Sequence, residues 1–68
     1  MDIDYKGYTI VTGSERDDMS DRWNGRYRIM NDKGMVVYES FVEPMDDQIR
    51  ADEAAKTEGR AWIDRATA

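Results

Sequence analysis

The stretch from Trp23 to Met30 alternates cleanly: Trp23, Gly25, Tyr27 and Ile29 fall on one side, Asn24, Arg26 and Arg28 on the other. A period of two predicts a half-buried strand whose apolar set faces a core. Asn31-Asp32-Lys33-Gly34 has the chemistry of a type I turn closed by a glycine in the left-handed region, so Met35 to Val42 is the returning strand. Two registers compete. A three-residue loop with a glycine bulge sets Ile29 near Val37 and Gly25 near Phe41, and turns Glu39 inward. The simpler register pairs Ile29 with Val36, Tyr27 with Tyr38 and Arg26 with Glu39, which sorts charge to one face and is preferred for that reason.

Upstream, Tyr5 to Thr12 is rich in aromatic and β-branched residues and stops at Gly13-Ser14, which predicts the first strand, with Tyr8 and Ile10 on one face and Tyr5, Thr9 and Val11 on the other. Ser14 to Arg22 has six charged residues and no apolar period, and reads as an exposed loop. Downstream, Glu43-Pro44 ends the sheet, because proline cannot donate to a ladder and biases Glu43 away from helical geometry. A helix is expected from near Asp46 to about Arg65, capped by Asp46 or Asp47. At about 100° per residue, Ala51, Ala54, Ala55, Trp62 and Ala66 share one stripe, with Gly59 at its margin, Glu58 near its middle, and Ile49 and Ile63 off it. These elements predict a single α+β domain over residues 1–68. Its three-stranded antiparallel sheet, in chain order, is packed on one face by a C-terminal helix, with Trp23 and Trp62 in the core.

The chain has 68 residues and neither Cys nor His, so disulfides and an ordinary structural zinc site are excluded as staples. A domain this small has a thin stability margin, which self-association would widen. Ten Lys and Arg against fifteen Asp and Glu give a net charge of −5, which argues against whole-molecule attraction to nucleic acid or to an anionic membrane. Met1-Asp2-Ile3-Asp4 has neither the charge nor the apolar run of a signal peptide, and the expected setting is cytoplasmic.

Chemistry-bearing constellations are sparse. Without His the Ser and Thr residues cannot build a hydrolytic triad, and Asp17, Asp18 and Asp21 lack the alternate spacing and bend glycine of a calcium loop. The residue types predict no enzyme, no cofactor and no metal. Glu58, on the expected apolar stripe beside Trp62, is the best-placed acid for desolvation, but a side chain reaching water or pairing with Arg65 at the helix edge is the preferred reading. Arg22, Arg26, Arg28 and Lys33, on or near the outer face of the second strand, could stack on and neutralise single-stranded nucleic acid. Ile49 and Ile63, on the helix flank, with Met30, Met35 and Val37 on the outer sheet face, are the expected apolar surface. A protein partner, or a second copy forming a homodimer, is expected on the helix flank, the open sheet face or an edge strand. A non-enzymatic interaction module is the preferred function and a nucleic-acid binder the rival.

Tyr5-Lys6-Gly7-Tyr8-Thr9-Ile10, Arg26-Tyr27-Arg28-Ile29 before a glycine turn, and Ala54-Ala55 followed by Gly59-Arg60-Ala61-Trp62-Ile63-Asp64 resemble a group of small bacterial domains of three strands and a helix, of unknown function. The layout is also similar to HicB-like antitoxins and to the sheet and last helix of double-stranded RNA-binding domains. Those likenesses imply an antitoxin-like partner protein or an RNA binder. Where the RNA-binding domains begin that helix with basic residues, this chain has Asp46 and Asp47.

Overall fold

The computed structural model describes residues 2–68. Four strands, β1 (Asp2–Tyr5), β2 (Tyr8–Asp17), β3 (Arg22–Met30) and β4 (Val36–Phe41), form an antiparallel meander in chain order, followed by the helix α1 (Gln48–Ala66). The α+β class and the C-terminal helix are as expected; the strand number is four rather than three. The extra strand arises because Tyr5 and Tyr8 do not share a strand. Lys6 and Gly7 both take positive φ, 50° and 84°, and make a two-residue hairpin that sets Ile3 opposite Ile10 and Tyr5 opposite Tyr8.

The expected loop after Gly13 is also sheet. β2 and β3 pair as far as Glu15↔Asn24, Arg16↔Trp23 and Asp17↔Arg22, and a tight turn closes with the Asp21 N–H donating to the Asp17 carbonyl at 2.8 Å. This end of the hairpin shows no apolar alternation, and it is held by side-chain pairs, Arg16 with Asp21 and Arg26 with Glu15. Asp17 accepts the Met19 N–H at 3.0 Å, and that bond holds its carboxyl below the usual range.

The β3–β4 turn has the predicted chemistry. Gly34 sits at φ 77°, and the Asn31 side chain accepts from the N–H groups of Lys33 and Met35 at 2.9 and 3.0 Å. Neither expected register holds along the whole ladder. Near the turn Met30 faces Val36; one residue on, Val37 is extra, and the pairing becomes Ile29↔Tyr38, Arg28↔Glu39, Tyr27↔Ser40 and Arg26↔Phe41. The β-bulge reconciles the demands of turn and charge. The glycine turn keeps its geometry, and the inserted residue swings Glu39 outward against Arg28.

Asp47 caps α1 by accepting the Ile49 N–H at 2.8 Å, and Thr67 closes it on the Ile63 carbonyl. The helix crosses β2 and β3. Its buried row is Ala51, Ala55, Gly59 and Ile63, spaced four apart, while Ala54 and Trp62 are half-buried on one flank and Ala66 is exposed. Ile63, expected on the open flank, is fully buried with Ile10, Tyr27, Ile29 and Val42. The stripe turns toward this row because its smallest members let the backbones meet. A Cβ on Gly59 would come within 2.9 Å of the Ile10 side chain. Trp23 is half-buried and outside the core cluster, where its backbone bridges to Met45 with bonds of 2.7 and 2.9 Å.

Candidate interaction surface

With α1 on one face of the sheet, the other face is open, and it carries the outward residues of three strands: Val11 and Gly13, Arg26 and Arg28, Glu39 and Phe41. Sheet twist makes this face a shallow depression of about 540 Å³. The arginines on it are already engaged. Arg28 Nε lies 3.1 Å from Glu39 Oε2 and Arg26 Nη1 lies 3.8 Å from Glu15 Oε1, both pairs well exposed. Arg22 sits at the far end of β3, 3.5 Å from Asp46. Lys33 belongs to the turn beyond the opposite end of β3, roughly 26 Å away for a nine-residue strand. The four expected nucleic-acid contacts therefore do not form one basic patch, and three of them face an acid.

The apolar surface lies elsewhere, along β4. Met35, Val36, Val37 and Phe41 are 62, 50, 40 and 68% exposed, and β4 is the last strand of the sheet, with no strand beyond it among the described residues. The Val42 N–H donates to the Gly25 carbonyl at 2.9 Å. Because antiparallel pairs alternate, Tyr38, Ser40 and Val42 turn their backbone groups toward β3, and Glu39 and Phe41 turn theirs to the open edge. The opposite edge is different: β1 has four residues, of which Asp2 and Asp4 are acids. Short length and charge are the usual protection of an edge; β4 is longer, six residues, and carries one charge, Glu39, already paired with Arg28.

On the helix side of β4, Tyr38 stacks on Trp62 with centroids 5.3 Å apart and planes at 17°, and Tyr8 meets the same indole edge-on at 6.2 Å. Tyr27 lies beneath Tyr38, and burial pushes its phenol above the usual range, with Tyr38 and Glu58 adding to the shift. Glu58 itself is exposed, which removes the desolvated alternative and leaves the preferred reading of a surface acid. Of the expected partner contacts, Ile49 is 72% exposed on the first helical turn, whereas Ile63 is in the core and unavailable. Phe41 and Val36 were not among the expected contacts. For Val36 the signal in the sequence is the apolar run Met35-Val36-Val37 on the last strand before a proline; Phe41 lies outside that run.

A second cluster ties the β1–β2 turn to the end of the helix: Asp64 accepts from the Tyr5 hydroxyl at 2.8 Å and from Lys6 Nζ at 2.7 Å. Those bonds lower the Asp64 carboxyl and raise both Tyr5 and Lys6. Among the described residues no group of three or more acids is placed to hold a metal ion, and no helix is long and apolar enough to cross a membrane. Comparison with protein-family models, with curated proteins and with solved structures found no match.

Proposed function

We propose that the protein is a non-enzymatic interaction module that binds another polypeptide along β4. The observation that carries this reading is the β4 edge itself, where the backbone groups of Glu39 and Phe41 turn away from β3 among Met35, Val36, Val37 and Phe41. Such an edge accepts an added strand, with main-chain bonds supplying affinity and the adjacent apolar side chains supplying selectivity. The chain's residue types support the absence of catalysis, since it has no His or Cys to serve as base or nucleophile. The rival, a nucleic-acid binder, is weakened by the acid facing each of Arg22, Arg26 and Arg28 and by the net charge.

In-cell photo-cross-linking tests it. Benzoylphenylalanine at Phe41 and at Val37 should capture an identifiable protein, while the same probe at Thr57, on the exposed face of α1, should not. Adducts to nucleic acid, or equal labelling from Thr57, would overturn the proposal.

A further inference from the structure

We infer that the polypeptide seated on β4 is a second copy of this chain, paired antiparallel about a two-fold axis through Ser40. This rests on β4 being the interaction edge and goes further in naming occupant and register. The regular part of the edge is bounded on one side by the bulge at Val37 and on the other by Glu43-Pro44, which leaves Tyr38 to Val42 with Ser40 at the midpoint. A two-fold axis at that residue pairs the whole stretch with itself, and any other centre shortens the ladder or drives it into the bulge or the proline. The hydrogen-bond phase agrees. Glu39 and Phe41 have the outward backbone groups, and this register sets Glu39 opposite Phe41 of the second copy, each exchanging its N–H and C=O with the other, with the two Ser40 residues as the unbonded pair between them.

Charge complementarity selects the same register. The only charged side chain on β4 is Glu39, and it is paired with Arg28 in its own copy. Across the open face, the joined sheets read Arg28, Glu39, then Phe41 and Arg26 of the second copy. Each acid lies between two arginines, with the phenyl ring inserted, and Phe41 gains cover from the neighbouring strand. A centre at Glu39 would instead place two carboxylates directly opposite, which is destabilising. Outside this row the copies repel, each having a net charge of −5, so added salt strengthens the association rather than weakening it.

Sedimentation of the full chain from micromolar to several hundred micromolar, at low and at raised salt, is the primary measurement. A monomer–dimer equilibrium that tightens with salt is expected. Phe41→Glu, at an exposed position that does not disturb the fold, should weaken it about tenfold or more by adding a carboxylate beside Glu39 of the second copy. Since the chain has no Cys, Ser40→Cys introduces a single thiol at the axis. With diamide as the oxidant, two such thiols should lose their protons and two electrons to form one disulfide far faster than the thiols of Thr57→Cys. A dimer indifferent to Phe41→Glu, or equal cross-linking rates, overturns the Ser40 register. A monomer at every concentration overturns the second copy as occupant; if the probe at Phe41 then captures a different protein, β4 remains the binding edge. Failure of both measurements removes the two readings together.

Discussion

The Ala51 carbonyl oxygen lies directly over Gly25, so close that a Cβ on Gly25 would overlap it and would also come within 2.8 Å of a Val42 methyl. This is where the first turns of α1 rest on β3, backbone against backbone. Gly25→Ala should therefore cost about 3 kcal/mol, the upper part of the range for forced overpacking, because the obstacle is main chain and cannot swing aside. In a domain with so small a margin, that loss should leave a substantial unfolded fraction at 25 °C by circular dichroism. Unchanged melting would show that the helix sits further from the sheet.

How the chain announces this contact explains what was legible in it. Gly25 stands on the apolar side of the clearest alternating segment, and Ala51, Ala55 and Gly59 repeat every fourth residue, so the helix-on-sheet layer and its small-residue seam were readable from periodicity. The exact face was not. Summing apolarity around the helix drew the stripe toward Trp62 and Ala66 and left Ile63 outside, whereas the close approach at Gly59 and Gly25 turns Ile63 into the core. The fourth strand was hidden because Lys6-Gly7 lacks the Asn or Asp usual in a two-residue turn. The bulge at Val37 answers two constraints at once, and neither alone implies it. The β4 edge was legible as composition, but its outward backbone groups needed the register.

Trp62 and Trp23 should differ in energetic weight. Trp62 lies between Tyr38 and Tyr8 and packs against the core cluster, so Trp62→Ala should cost about 3 kcal/mol, near the lower limit for truncating a core aromatic. Trp23 contributes to its bridge with Met45 through the backbone, which alanine retains. Trp23→Ala should cost about 1 kcal/mol, an ordinary surface-to-boundary value. Urea denaturation of the two variants decides the order. Equal losses would place Trp23 in the core.

Lys56 is buried on the sheet side of α1, with its ammonium 3.2 Å from Asp52 and 3.3 Å from Glu53, and the bond to Asp52 is the main reason its proton is held above the usual lysine range. Its side chain is only 11% exposed, so the stem and most of the charged end are out of water. Lys56→Met keeps the stem and removes the need to desolvate an ion, so its melting temperature should equal or exceed that of the wild type. Lys56→Ala should melt lower. If both melted lower by the same amount, the ion pairs rather than the packing would be the stabilising part.

The Tyr5–Lys6–Asp64 cluster makes stability depend on pH at both ends of the scale. Asp64 is lowered, chiefly by the bond from Lys6, so the unfolded chain takes up that proton more readily; the cluster's support is present above the ordinary carboxylate range and is lost as pH falls through Asp64's depressed value. Tyr5 and Lys6 are raised, each mainly by its bond to Asp64, so their support is complete below their ordinary values and is lost as pH rises through the raised ones. Asp64→Asn removes the shared carboxylate while keeping its shape. The melting-temperature gap between wild type and Asp64→Asn should accordingly be widest near neutral pH and narrow toward both extremes. An acid-limb dependence should persist in the variant, because Asp17 is lowered independently by the Met19 N–H. The charged pair Lys6 and Asp64 is about half exposed, so raised salt should shrink the gap as well. A gap that stayed constant across pH and salt would mean that Asp64 acts through helix packing and not through its charge.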